Sequence, residues 1–382
     1  MSLSKKQIFD RETAGRLPQT LTSDFAEIIA PLQADLKYSI SQLRQRGATV
    51  FKNIYIDVVD DLSLNALAFI YEGHEFVGIN AGVGISIPLI YFSMLSQPWS
   101  FATIGNASSE EQQPISIDKL LFASGKASAI GAATNLNSYV SSPQDPVRFH
   151  YGATLGMRAW HFLLFHEIGH IARGHLPYLH ERGFMPEVSS QTLKLMEFDG
   201  GVSNQTRKVL RVLESDADSI AARIQVEGLL SQTPAEHAML ALGDNHDTKP
   251  NWSWDDVAYT WLVSVGLLFH ILSILDRSPI LKAGRTHPHP DVRFFILTNF
   301  AWSSWQKVIP NIENYRSIVR KARQDILGVW VKLGLPSPFP TNLNYTKDFW
   351  KAVNTFRSGF DGLASRLNEL SLNRIGSTDM AT

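Results

Sequence analysis

The chain has 382 residues, 44% of them hydrophobic and 19% charged, which is the composition of a folded globular protein and not of a disordered one. Its formal net charge of −1 gives no reason to expect a nucleic-acid polyanion or an anionic membrane as the main partner. It contains no cysteine, so disulfides, iron–sulfur clusters, thiolate zinc sites and cysteine nucleophiles are excluded, and any metal must be held by His, Asp or Glu.

The N-terminal stretch MSLSKKQIFDRETAGRLPQT has lysines but no apolar segment, so no secretory signal is expected and a cytoplasmic location is the default. Ser23–Gln45 carries apolar residues at helical spacing. Lys52–Val59 alternates and is rich in Val and Ile, which predicts a strand. NALAFIY and EFVGINAGV flank Glu72-Gly73-His74 and predict a hairpin turning at Gly73. A short helix is expected over Pro88–Leu95. From Ser96 to Arg148 the chain is rich in Ser, Gly, Ala, Gln and Asn, which suggests an irregular insertion with one short helix near Ile117–Ser124. Such an excursion could serve as a lid over a cleft.

Helical patterns follow over Ala153–Gly174, where RGHLP breaks the periodicity, and over Ser203–Val226. Val257–Leu275 is the longest apolar run. It is borderline for a bilayer and carries Thr260, Ser264, His270 and Ser273, so a buried core helix is the expectation over a membrane span. Asp291–Ala301, Ile312–Leu333 and Lys347–Leu370 are further predicted helices. The fold class expected is mainly α with a small β-sheet (α+β). Residues 1–310 would form the main domain and 311–382 a C-terminal helical extension.

HEIGH at 166–170 is the segment that carries chemistry. Positions i and i+4 lie one above the other on a helix, so His166 and His170 can address one zinc ion. Glu167 lies beside that face, close enough to take a proton from the water that such an ion activates. Read blandly, these are ordinary helix residues. Yet Trp160, Phe162, Leu163, Leu164, Phe165, Ile168 and Ile171 make the helix apolar nearly all round, and three polar groups buried there without a partner would be costly.

A third ligand is needed. His175 stands five residues past His170, about 140° round the helix, and fits a capping or structural role. His161 fails on the same angle, and His180 lies beyond Pro177. The candidate is Glu214 in LRVLESDADSIAARI, which shares a helix face with Asp218 at i, i+4. Ala217, Ala221 and Ala222 allow a close approach to the motif helix. Asp218 would accept the outer N–H of a ligand histidine, and Asp216 should face away. The bland reading is an exposed acidic start to a helix.

Together these residues resemble the gluzincin metallopeptidases, and within them the family of the CAAX prenyl-protein endoprotease and the HtpX heat-shock protease. The resemblance is carried by HEIGH, by ESDAD at 214–218, by THPHPDVR at 286–293 and by NALA at 65–68, in that order over some 230 residues. It implies a zincin-like fold, one Zn2+ ion, and hydrolysis of peptide bonds in a protein or peptide substrate. It also implies that His287 hydrogen-bonds the developing oxyanion, with His289 a competitor, and that Arg293 braces that region. Asn65 and Ala66 would lie on a strand that pairs with substrate backbone. The family's transmembrane helices are missing unless Val257–Leu275 is one, and Lit-type phage-exclusion peptidases are another possible kin group. A catalytically silent, peptidase-like binding or sensor protein is the alternative function.

Overall fold

The structure, a computed structural model, describes residues 3–17, 34, 36–38, 40–41, 53–112, 141–183, 192–194, 203–243, 251–275, 290–333 and 347–372. Most of them are helical, around one small sheet. Of the expected elements, the helix near Ile117–Ser124 and most of Ser23–Gln45 lie outside the described residues.

Three strands follow one another early in the chain: β1 (Tyr55–Val59), β2 (Ala66–Tyr71) and β3 (His74–Asn80). Glu72 (φ 47°) and Gly73 (φ 77°) close the β2–β3 hairpin, whose register runs from Tyr71↔His74 to Ala66↔Ile79. A two-residue turn with both φ values positive matches the twist of the flanking strands, which is why the glycine falls where it does. β1 lies parallel to β3 on its other side. A three-residue strand β4 (Thr192–Lys194) adds to β2, giving the order β1-β3-β2-β4. β4 pairs only with Phe69, Ile70 and Tyr71, so among the described residues the outer edge of Ala66–Ala68 has no backbone partner.

Alternation along the strands divides the side chains between two cores. Val59, Phe69, Tyr71 and Phe76 face helix α1 (Lys5–Glu12) and pack on its Ile8 and Phe9. Val58, Ala68, Ile70, Val77 and Ile79 point the other way, into the main core. There the sheet meets α3 (Pro146–Ala172), the helix that carries HEIGH.

α2 (Ala81–Leu95) and α3 pack together because α3 carries glycine where α2 is bulky. A Cβ on Gly156 would meet Pro88 Cγ at 2.8 Å, and one on Gly152 would meet Phe92 at 2.8 Å. The helix expected to start at Pro88 therefore begins seven residues earlier, and its internal proline sits in the groove left by Gly156. α3 also starts earlier than expected. Asp145 caps it, accepting from Arg148 N at 2.9 Å, with Pro146 in the first turn.

The excursion before α3 is tied at both ends. The Glu110 carboxylate accepts from the backbone N–H groups of Gln144 and Asp145, each at 3.0 Å. Arg148, fully buried, donates to the carbonyls of Leu95, Gln97, Ser100, Phe101 and Ile104. So Arg148 is helical and structural, and the irregular stretch ends before it.

After α3 the chain breaks at Gly174 (φ 71°) and resumes as a short helix, α4 (His175–Glu181), where only a terminator was expected. α5 (Asn204–Leu229) is capped by Ser203. α6 (Pro234–Leu242), not anticipated, opens with a capping box formed by Thr233 and Glu236. α7 (Trp254–Leu275) is long and apolar enough to cross a membrane, and 83% of its apolar window is buried inside the protein. α8 (Pro290–Trp305) packs on α5, α9 (Ile312–Lys332) on α7, and α10 (Lys347–Leu372) on α5. Tyr315, Ile326 and Trp330 of α9 belong to the same core as Trp160 of α3 and Trp261 of α7.

Candidate metal centre

α3 and α5 approach closely because two small residues face each other. A Cβ placed on Gly169 would lie 3.1 Å from Ala217 O and 3.2 Å from Ala217 Cα. Gly169 belongs to HEIGH and Ala217 to ESDAD, so the contact that joins the helices also brings the two polar motifs together.

His166, His170 and Glu214 are all buried, with one donor atom each inside a 4.8 Å span. His166 Nε2 is 3.1 Å from His170 Nε2. Glu214 Oε2 is 3.2 Å from His166 Nε2, and Glu214 Oε1 is 3.5 Å from His170 Nε2. Ligands about 2.05 Å from a tetrahedral ion are separated from each other by about 3.3 Å. The separations are of that order, the two Glu214 distances being to its two different oxygens, and with one donor atom per residue inside 4.8 Å this group could hold a metal ion.

A further polar group lies beside the outer nitrogen of each imidazole. Asp218 Oδ1 is 2.8 Å from His166 Nδ1. Arg293 grips the same carboxylate with two bonds, Nε to Oδ2 at 2.8 Å and Nη2 to Oδ1 at 2.7 Å, while its guanidinium lies 4.3 Å from the Phe269 ring centre. On the other side, His170 Nδ1 is 2.9 Å from His175 Nδ1. His175 Nε2 is 2.9 Å from Asp216 Oδ2, which also accepts from Arg173 Nε at 2.8 Å. Arg173 reaches on to Asn368 Oδ1 of α10 at 3.0 Å.

No protein-family model, curated protein or solved structure matches this chain.

The charges are arranged to keep the carboxylates ionised despite burial. Burial alone would raise the pKa of Asp218; Arg293 first, then His166, outweigh it and hold the group at about 2. Burial would likewise raise Asp216, and His175 and Arg173 keep it below the usual carboxylate range. The two motif histidines are pushed apart. Burial would lower His166, but Asp218 and Glu214 raise it to about 10, whereas burial drives His170 well below its ordinary value. Burial also lowers His175.

Glu167 follows His166 on α3 and is 8% exposed, the least enclosed of the group, against 4% for His166, 1% for His170 and 4% for Glu214. Arg293 is brought to the centre through Asp218. His287 and His289 lie outside the described residues. Asn65 is exposed just before β2, and Ala66 opens the half-edge of β2 that lacks a described partner, on a strand that packs against α3. His161 stacks on Phe165, and His180 is exposed.

Asp216 was expected to face away; it is 4% exposed and forms the buried end of the His175 relay. Two residues along a helix does turn it from the Glu214 face. However, the break at Gly174 folds α4 back, so that His175 meets Asp216 there. The local signal for this was a count of charges: three acids within five residues of an Ala-rich helix, with Arg173 and His175 directly after HEIGH.

Proposed function

We propose that this chain is a zinc-dependent metalloendopeptidase with a zincin-like fold, using His166, His170 and Glu214 as ligands and Glu167 as general base. The observation that carries the reading is the convergence of three buried side chains from two helices, His166, His170 and Glu214, with one donor atom each within 4.8 Å of one another. Two imidazoles and one carboxylate, with no thiolate available, suit zinc. When bound, zinc supplies a Lewis acid that polarises a carbonyl and lowers the pKa of water.

The protein's own groups account for the remaining chemistry. Glu167 takes a proton from the attacking water as the water oxygen bonds to the peptide carbonyl carbon. It then passes that proton to the departing amide nitrogen as the C–N bond breaks, leaving a carboxyl and an amine terminus. Asp218, gripped by Arg293, holds the His166 ring in place. The half-edge at Ala66–Ala68 beside α3 offers backbone groups for an extended substrate to add as a strand. The ordered motifs extend the resemblance to the CAAX endoprotease and HtpX family, in which the same roles fall on HEIGH and ESDAD.

The test is elemental analysis of the purified full chain beside its His166→Ala variant, followed by a peptide-library cleavage assay of wild type and Glu167→Gln. Near one zinc per chain is expected in wild type and little in His166→Ala. Glu167→Gln should keep the metal and lose turnover by about 10²–10⁴-fold. Metal retention with no cleavage by wild type, and equal peptide binding by both proteins, would favour the binding or sensor role. Absence of any bound metal would end the reading.

A further inference from the structure

We infer that His175 and Asp216, anchored by Arg173, are positioning residues that fix the ring of His170 so that its Nε2 lone pair faces the metal. The inference rests on the metal-centre reading above and concerns residues outside both HEIGH and the Glu214/Asp218 pair. It follows from hydrogen-bond polarity. Asp216 Oδ2 already accepts from Arg173 at 2.8 Å and, as a carboxylate oxygen, can only accept, so His175 Nε2 donates across the 2.9 Å contact. A neutral imidazole then has its acceptor at Nδ1, which lies 2.9 Å from His170 Nδ1. His170 Nδ1 must therefore carry the proton, which leaves its Nε2 free to ligate. On the His166 side a carboxylate, Asp218, lies directly beside the outer nitrogen at 2.8 Å; here an imidazole stands between carboxylate and ligand and transmits the polarity.

Three buried side chains from α4, α5 and the end of α3 are committed to this line, and its outer end continues through Arg173 to Asn368 of α10. His175 and Asp216 touch the metal only through His170, so they position and do not ligate.

The experiment titrates the metal-free full chain with Zn2+ against a competing chelator, and with Co2+ for its visible spectrum. It compares wild type with His175→Leu, His175→Gln and Asp216→Ala. His175→Leu fills the space but breaks the relay, and it should weaken Zn2+ binding about 10–100-fold and alter the Co2+ bands. Glutamine can accept through its carbonyl oxygen and donate through its amide, so His175→Gln should largely restore both readouts. Asp216→Ala should move them in the direction of leucine. If leucine leaves affinity and spectrum unchanged while only lowering the melting temperature, the role is structural and the inference falls. It falls too if glutamine behaves no better than leucine. Should the leucine variant not fold, the contrast between glutamine and Asp216→Ala decides between the same two outcomes. A wild type that binds neither ion would instead overturn the metal centre itself.

Discussion

Two helices run through the core with little solvent contact, and they treat their polar side chains differently. In α7, Thr260 donates to Asp256 O at 2.7 Å, Ser264 to Leu155 O at 2.7 Å and His270 Nδ1 to Gly266 O at 2.8 Å. Each of these groups donates to a backbone carbonyl, and Thr260 also accepts from Tyr151 of α3 at 3.4 Å. In α3, His166 and His170 turn towards each other and towards carboxylates of α5. A buried hydroxyl or imidazole that bonds to a carbonyl is compatible with a helix made only for packing. Side chains that converge from two helices on one point, each imidazole with a further polar group beside its outer nitrogen, could hold an ion at that point. This difference, and not polarity as such, is what supports the proposed metal-binding role for α3 and a packing role for these α7 groups.

The largest effect that would break the contrast is loss of a donor. His166→Ala should reduce metal affinity by more than the ~100-fold that removal of an outer partner costs. Chelator should lower the melting temperature of wild type and leave that of the variant unmoved, because only the former has a bound ion to lose. The matched change in α7, His270→Leu, should leave the metal content as it is. Equal metal loss in both variants would erase the distinction between the helices.

Next is the support behind His166. Arg293→Met removes both bonds to the buried Asp218 carboxylate, and breaking such a pair from one side costs about 3 kcal/mol. Metal affinity should fall about tenfold, since Asp218 then orients His166 less firmly. A denaturant titration paired with chelator competition reads both. Stability lost without any change in affinity would mean that Arg293 serves the fold alone.

Gly169→Val tests the approach of the helices. Its Cβ would press on Ala217 backbone at 3.1 Å, and overpacking of this kind costs about 2 kcal/mol. Because the donors sit on opposite sides of that contact, metal affinity should decline together with stability, read in the same two assays. An affinity unchanged by a destabilising valine would show that the centre tolerates wider spacing.

How much of the fold and the centre was legible in the sequence depended on distance along the chain. Glu214 and Asp218 could be read because they share a helix face, and Ala217 because a small residue between them has an obvious use. The hairpin could be read because Gly73 is local to its turn. Asp216 and His175 could not, because their meeting requires the chain to reverse at Gly174 and a second helix to lie against α5. β4 was hidden for the same reason: its three residues pair with β2, more than a hundred positions earlier. Arg148 looked like the tail of a loop, and only the positions of five distant carbonyls make it a pin.

The smallest predicted effect sharpens the contrast from the structural side. Ser264 sits where α2, α3 and α7 meet: its hydroxyl donates to Leu155 O of α3, and its own carbonyl accepts from Tyr91 of α2 at 2.7 Å. Ser264→Ala deletes the hydroxyl and leaves the backbone bond to Tyr91 in place. Leu155 O, inside α3, still accepts from the N–H four residues on, so no buried acceptor is left unsatisfied. The loss should therefore be that of one ordinary hydrogen bond, about 1 kcal/mol, measured by denaturant unfolding. Metal affinity should not change, although the carbonyl that Ser264 touches belongs to the same helix as His166 and His170. If it did change, the two helices would be coupled, and polar groups that end on carbonyls could no longer be assigned to packing alone.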